Sequence, residues 1–184
     1  MSDEQKAPVR RNAQAPPKGG KKRFRTLKAL AQLIVKLAVV AAVCWAALTY
    51  VFGVFRISGN GMYPALRDGD LCVTYRLEDY RADEVVAYRA DGAVRFGRIV
   101  AVAGQTADGD EQGLLVNGVH RSEEIFYPTQ MLDTALSLPV RLEEGQVLIL
   151  NDHRTELSDS RTFGLIDEAD LEGKVIFFFR RRGF

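Results

Sequence analysis

Hydrophobic positions fall into two regimes along the chain. From Leu37 to Phe55, nineteen consecutive residues carry no charge, and as a helix such a run crosses about 30 Å of hydrocarbon. Leu27 to Val35 are apolar enough to extend this helix at its start, with Lys28 and Lys36 reaching for the interface. Beyond Arg56 the spacing becomes that of strands. Leu71 to Tyr75 mixes aliphatic, Thr and Tyr positions that suit a pleated surface. Val85 to Tyr88 and Ala93 to Val102 are two more strands, joined by the hairpin dipeptide Asp91-Gly92. A second hairpin follows Leu114 to Val116 at Asn117-Gly118. Residues 122–139 read as a loop, Val147 to Leu150 and Val175 to Phe179 as strands, and 167–171 as a short helix. No repeat and no alternation of strands with helices is visible, so the domain is mainly β and antiparallel.

Residues 1–26 are polar and basic, punctuated by Pro8, Pro16, Pro17, Gly19 and Gly20. That composition buries no core, and predicts a disordered tail. The chain therefore divides into a tail at 1–26, an anchor helix at 27–55 and a β domain at 56–184. Charge sharpens the picture. Residues 1–36 hold ten Lys or Arg against Asp3 and Glu4, whereas residues 56–184 hold fifteen basic against twenty-two acidic residues. A basic flank, an apolar span and an acidic domain indicate membrane topology rather than nucleic-acid binding. The N-terminus is expected in the cytoplasm and the β domain outside the membrane. A cleavable signal peptide competes, given small residues such as Ala46 and Ala47. The apolar run exceeds the h-region of about 7–15 residues, however, and the basic leader is long, which favours an anchor. Cys44 falls in the span and Cys72 in the domain, so no disulfide within the domain is available.

Four stretches carry a resemblance. Ser58-Gly59-Asn60-Gly61-Met62-Tyr63-Pro64-Ala65-Leu66, with Asp68-Gly69-Asp70 behind it, resembles the serine-bearing box of the type I signal peptidases, Ser-Met-x-Pro-Thr-Leu. Arg81 to Val86 resembles their Gly-Asp-Val-Val box, with Ala82 at the glycine position. Phe96 to Gly104 resembles the Lys-Arg-Val-Val-Gly-x-Pro-Gly box, and Asn151 to Gly164 the Gly-Asp-Asn-Arg-x-x-Ser-x-Asp-Ser-Arg-x-Phe-Gly box. The boxes stand in the family's order behind one span. The resemblance implies a coiled antiparallel β-sheet fold and a Ser–Lys dyad, in which a neutral buried lysine takes the serine proton.

The dyad is absent from these positions. The family serine falls on Gly61, the lysine on Gly97 and the serine that orients the lysine on Leu157. What the resemblance retains is structural: Pro64, Asp152, Arg154, Ser160 and the Asp159–Arg161 pair that the family pattern joins as a salt bridge. The chain resembles, within the family, the dyad-less signal-peptidase-like proteins encoded beside sortase-assembled pili of Gram-positive bacteria. It is thus expected to bind an exported polypeptide or pilin without cutting it, as a strand added to a sheet edge. Gly59, Asn60, Gly61, Met62, Tyr63, Phe96 and Gly97 are expected to form the peptide groove, with extra room at the two glycines.

Independently of any family, Lys174 is the single lysine after Lys36, and nothing near it in sequence resembles a nucleophile site. Cys72 lies in an apolar strand and reads as a core residue. Ser58 reads as pointing away from the Gly61 side, and His120 as solvated. His153, beside Asp152, has no serine or cysteine placed to receive it. No metal-ligand spacing, phosphate loop or cofactor motif is present. An active signal peptidase with a relocated nucleophile is the alternative function. A deliberately inactivated enzyme is a further alternative, against which Leu157 stands, since one change would suffice.

Overall fold

The computed structural model describes residues 20–111, 113–121, 129 and 135–180, with the side chains of 20–26 excluded. The expected tail before Gly20, and positions 122–128 and 130–134 of the expected loop, lie outside the described residues. The chain forms two compact units, residues up to Cys44 and residues from Trp45 onward.

Helix α1 runs Gly20–Tyr50, and its stretch Leu27–Tyr50 is long and apolar enough to cross a membrane. Its aliphatic side chains are exposed all round, the pattern of a helix whose solvent is lipid. The helix stops earlier than the uncharged run suggests. Phe52–Arg56 is strand β1, paired with β2, Leu71–Tyr75, from Phe52↔Tyr75 to Arg56↔Leu71. Gly53 permits this close pairing, because a Cβ there would collide with the Phe55 ring and the Thr74 hydroxyl. The end of the helix is also satisfied from the sheet. The Arg76 N–H donates to the Val51 carbonyl at 3.0 Å, and Arg76 Nη1 donates to the Thr49 carbonyl.

The remaining elements follow in order: β3 (Val85–Ala90), β4 (Ala93–Ala101), β5 (Thr106–Asp110), β6 (Gly113–Val116), β7 (Val119–His120), β8 (Val140–Arg141), β9 (Gln146–Leu150), α2 (Ser160–Phe163), β10 (Ile166–Asp167), a 3-10 turn at Glu168–Asp170 and β11 (Leu171–Phe179). A seven-stranded sheet has the order β1-β2-β11-β3-β4-β9-β10, and a smaller one the order β7-β6-β5-β8. Every pairing is antiparallel. Asp91-Gly92 and Asn117-Gly118 turn with both residues at positive φ, the twist that two-residue hairpins require. The helix expected at 167–171 is a single 3-10 turn, while β1, β5, β8 and β10 are additions to the sequence reading.

The core has three parts. Val86, Tyr88, Ile99, Val147 and Ile149 fill one face of the large sheet. Ile57, Met62, Leu66, Cys72, Ala87 and Phe96 fill another part, directly beneath the segment that follows β1. Val100, Leu114, Leu142 and Leu148 join the small sheet to the large one.

Candidate functional site

A cleft of about 290 Å³ opens between two segments, Ile57 to Met62 and Ala93 to Phe96. Asn151, Glu156 and Ser158 complete its lining. The first wall is an irregular loop held by its own acids. Asp68 accepts the Gly59 N–H at 3.0 Å through Oδ1, and the Asp68 N–H donates to Asn60 Oδ1 at 3.3 Å. Asp70 accepts the Arg67 N–H at 3.1 Å, while Ile57 exchanges backbone bonds with Asp70 and Gly69. The apolar side chains of Ile57, Met62 and Leu66 tether this loop to the core. The second wall is the start of β4, fixed by the β3–β4 hairpin.

The Asn151 to Phe163 segment is built on the buried Asp159. Its carboxylate accepts N–H groups from Asn151 at 2.9 Å and Arg161 at 3.0 Å, and binds the Arg161 guanidinium at 2.9 and 2.7 Å. Arg161 passes its other donors to the carbonyls of Arg154 and Glu156, and the Ser160 hydroxyl accepts the Ile149 N–H at 3.0 Å. The Asp159–Arg161 pair is therefore formed and fully enclosed, the geometry in which a buried ion pair is satisfied. Arg154 is buried. Asp152 receives Arg98 of β4 in a two-pronged pair at 2.8 and 2.7 Å. The His153 N–H donates to the Gly61 carbonyl at 2.8 Å, which joins the two loops across the base of the cleft.

Gly59, Asn60, Gly61, Met62 and Phe96 line the cleft. Tyr63 does not, and stands half-exposed with the Arg67 guanidinium 5.3 Å from its ring centre. Gly97 does not line it either. Its missing side chain points at the Ile149 Cγ2 methyl, which a Cβ would overlap, with the Tyr88 ring 3.4 Å away. The extra room expected at Gly97 is thus absent, since Ile149 occupies it. The expected room at Gly61 is taken as well, by the Asn151 amide, whose Oδ1 lies 2.9 Å from where a Cβ would sit. Leu157 is 54% exposed and outside the lining. Ser58, expected to face away, lines the cleft.

Asn151 is the residue the sequence reading passed over. Its signal was present, because it stands where the resembled box has glycine. Buried to 2% exposure, it donates from Nδ2 to the Glu156 carbonyl at 3.0 Å and contacts the Ser158 hydroxyl at 3.5 Å. Other candidate nucleophiles and bases are placed elsewhere. Cys72 is buried in the core, where desolvation pushes its thiol up to about 11. His153 Nε2 lies 3.2 Å from the Thr155 hydroxyl, and His120 lies 3.3 Å from Asp110. Lys174 is held between Glu78 at 2.8 Å and Glu84 at 2.9 Å, and is not among the lining residues. Among the described residues, no group of three or more His, Cys, Asp or Glu is arranged around a metal position.

The loop at residues 57–62 thus faces the start of β4, and residues 151–163, held by the buried Asp159–Arg161 pair, complete the cleft. Comparison with known proteins gives the class. The family profile for signal peptidase, peptidase S26, matches residues 30–180. Signal peptidase IB of Staphylococcus aureus is 29% identical over 174 residues, covering 83% of this chain and 90% of that protein. Signal peptidase I of Bacillus licheniformis is 27% identical, covering 77% and 85%. A crystal structure of a signal peptidase I from Enterococcus faecalis is 26% identical with a TM-score of 0.45, covering 53% of this chain and 97% of that one. The chain belongs to the signal peptidase family, peptidase S26. Among the described residues, one helix ahead of the β domain is long and apolar enough to cross a membrane.

Proposed function

We propose that this chain is a non-catalytic signal peptidase homologue, anchored by α1, that holds an extended exported polypeptide in its cleft. The observation that carries the reading is the occupation of both dyad positions. The space beside Gly61 is filled by Asn151, and the space beside Gly97 by Ile149. A glycine supplies neither a nucleophile nor a base. The cleft between residues 57–62 and 93–96 remains open, with Ser58, Gly59 and Gly61 on one wall and Ala93 on the other leaving backbone within reach. Such a surface takes an extended chain by strand-like hydrogen bonding, which needs no catalytic group. The basic excess ahead of the span supports an N-terminus in the cytoplasm and a domain outside. Its clients are exported chains, with the pilins of sortase-assembled pili as the class that the dyad-less resemblance favours. A chaperone-like role in pilus assembly or export follows.

The test uses the full chain in lipid nanodiscs with a fluorescein-labelled presequence peptide as probe. Binding is expected without cleavage products after prolonged incubation. Ser58→Trp and Ala93→Trp, on opposite walls, are expected to keep the melting temperature and to weaken binding about tenfold, on the order of 1.4 kcal/mol. Unchanged binding in both folded variants sinks the cleft as the working surface. Peptide turnover would instead support the alternative of an active enzyme with a relocated nucleophile.

A further inference from the structure

The start of β4 brings a cation into the cleft. Side chains alternate along a strand, so Arg95 shares the face of Gly97, while Phe96 between them turns into the core. The cross-strand partner of Arg95 is Tyr88, whose ring also lies 3.4 Å from where a Gly97 Cβ would sit. Arg95 thus lines the cleft two residues from the resembled lysine position. Arginine is no general base, but its planar guanidinium binds a carboxylate through two parallel N–H donors.

This guanidinium is placed but not paired. Its carbon stands 4.7 Å from the centre of the Phe163 ring, and Nε donates to the Ala90 carbonyl at 3.4 Å. Stacking on an aromatic face fixes the plane and leaves the edge N–H groups free to bind. Arg76, Arg98, Arg121 and Arg161 each meet a carboxylate, whereas Arg95 meets none among the described residues. It is half-buried, so it has given up part of its hydration without gaining a counter-ion from the fold. The second charge in the lining is Glu156. Its carbonyl is held by Asn151 Nδ2 at 3.0 Å and Arg161 Nη2 at 2.8 Å, which fixes the backbone beneath an exposed carboxylate. No ion pair joins that carboxylate to Arg95.

We propose that Arg95 sets the specificity of the cleft, and that the segment held there carries an Asp or Glu side chain turned toward β4. This rests on the cleft being the surface that holds an exported polypeptide. Backbone bonding along an extended chain supplies affinity for any sequence, and side-chain contacts supply the choice. Glu156 repels a second acid in the same cleft, so the preferred segment has one acidic residue among neutral ones and not an acidic run.

The experiment uses the full chain in phosphatidylcholine nanodiscs, which carry no net lipid charge. The probes are fluorescein-labelled peptides of alternating Ala and Ser that differ at one central residue, Asp, Asn or Lys. By fluorescence polarisation the Asp peptide should bind about tenfold tighter than the Asn peptide, with the Lys peptide weakest. The acidic excess of the domain would by itself favour Lys, so this order reports the cleft and not the overall charge. Arg95→Gln and Arg95→Met should each erase the difference between Asp and Asn, two neutral replacements guarding against one misfolding. Arg95→Lys should keep the sign of the preference, and Glu156→Gln should tighten Asp binding. Thermal melting checks every variant. Equal binding of the three peptides to the unaltered chain, or a preference for Lys, overturns the role of Arg95 and leaves the cleft as the holding surface. Binding of none overturns both. An Asp preference that survives in the folded neutral variants puts the carboxylate elsewhere and overturns the role of Arg95 as well.

Discussion

At Gly61 the side chain that matters belongs to a neighbour. Asn151 lies against the glycine with its backbone N–H bound to Asp159 and its Nδ2 donating to the Glu156 carbonyl, so its side chain cannot swing aside without breaking that part-buried hydrogen bond. Restoring the dyad by Gly61→Ser with Gly97→Lys is therefore expected to fail. The new lysine must displace Ile149, an overpacking that costs about 1–3 kcal/mol and lowers the melting temperature by roughly 2–4 °C per kcal/mol. Adding Leu157→Ser should change nothing. Labelling by an acylating serine probe, read by mass spectrometry, is expected only when Asn151→Gly and Ile149→Ala are added. Labelling of the simple Gly61→Ser, Gly97→Lys variant would show that the cavity is not blocked. At this scale the sequence displayed which positions depart from the resembled boxes, Gly61, Gly97 and Leu157 among them. It did not display what fills the gaps. Ile149 is an ordinary strand residue, and only the fold aims it at Gly97.

Strands β2, β3, β4, β9 and β11 were legible because each combines β-branched or aromatic residues with turn dipeptides at its ends. β1 was hidden by lack of contrast. Its Phe52-Gly53-Val54-Phe55 continues an uncharged run, and only pairing with β2 distinguishes it from more helix. β5, with the sequence Thr-Ala-Asp-Gly-Asp, has no strand signature, and takes its form from β6 and β8. β11 makes a further electrostatic link to residues preceding β3. Lys174 binds Glu78 and Glu84, which holds its ammonium above the usual lysine value, while Lys174 holds the Glu78 carboxyl below its own. Stability from the depressed carboxyl is present above the unfolded value of 4.5 and lost as pH falls through the folded one. Stability from the raised ammonium is present below 10.5 and lost as pH rises through its folded value. Lys174→Met should therefore lower the melting temperature most between those limits and converge with the wild type beyond them. The cluster is solvated, so the difference should shrink in about 1 M salt. A difference independent of pH would mean that packing, not charge, is what Lys174 provides.

On the scale of the molecule, the proposed orientation rests on the basic flank ahead of α1. A reporter that is active only outside the cytoplasm, fused after Phe184, should be active, and external protease on protoplasts should remove the β domain. Activity of the complementary cytoplasmic reporter at the same position would reverse the topology and exclude exported clients. The strand order adds a constraint on how such a domain comes into being. β2 and β3 are close in sequence, at 71–75 and 85–90, but they meet only through β11, at residues 171–179. In the proposed topology their facing edges stay open while the intervening chain is threaded across the membrane, and an open edge is a template for whichever strand arrives first. Closure waits on the latest segment to emerge, as long-range pairing generally does. In the proposed topology, maturation of this domain is thus timed by the arrival of β11, which acts as the latch.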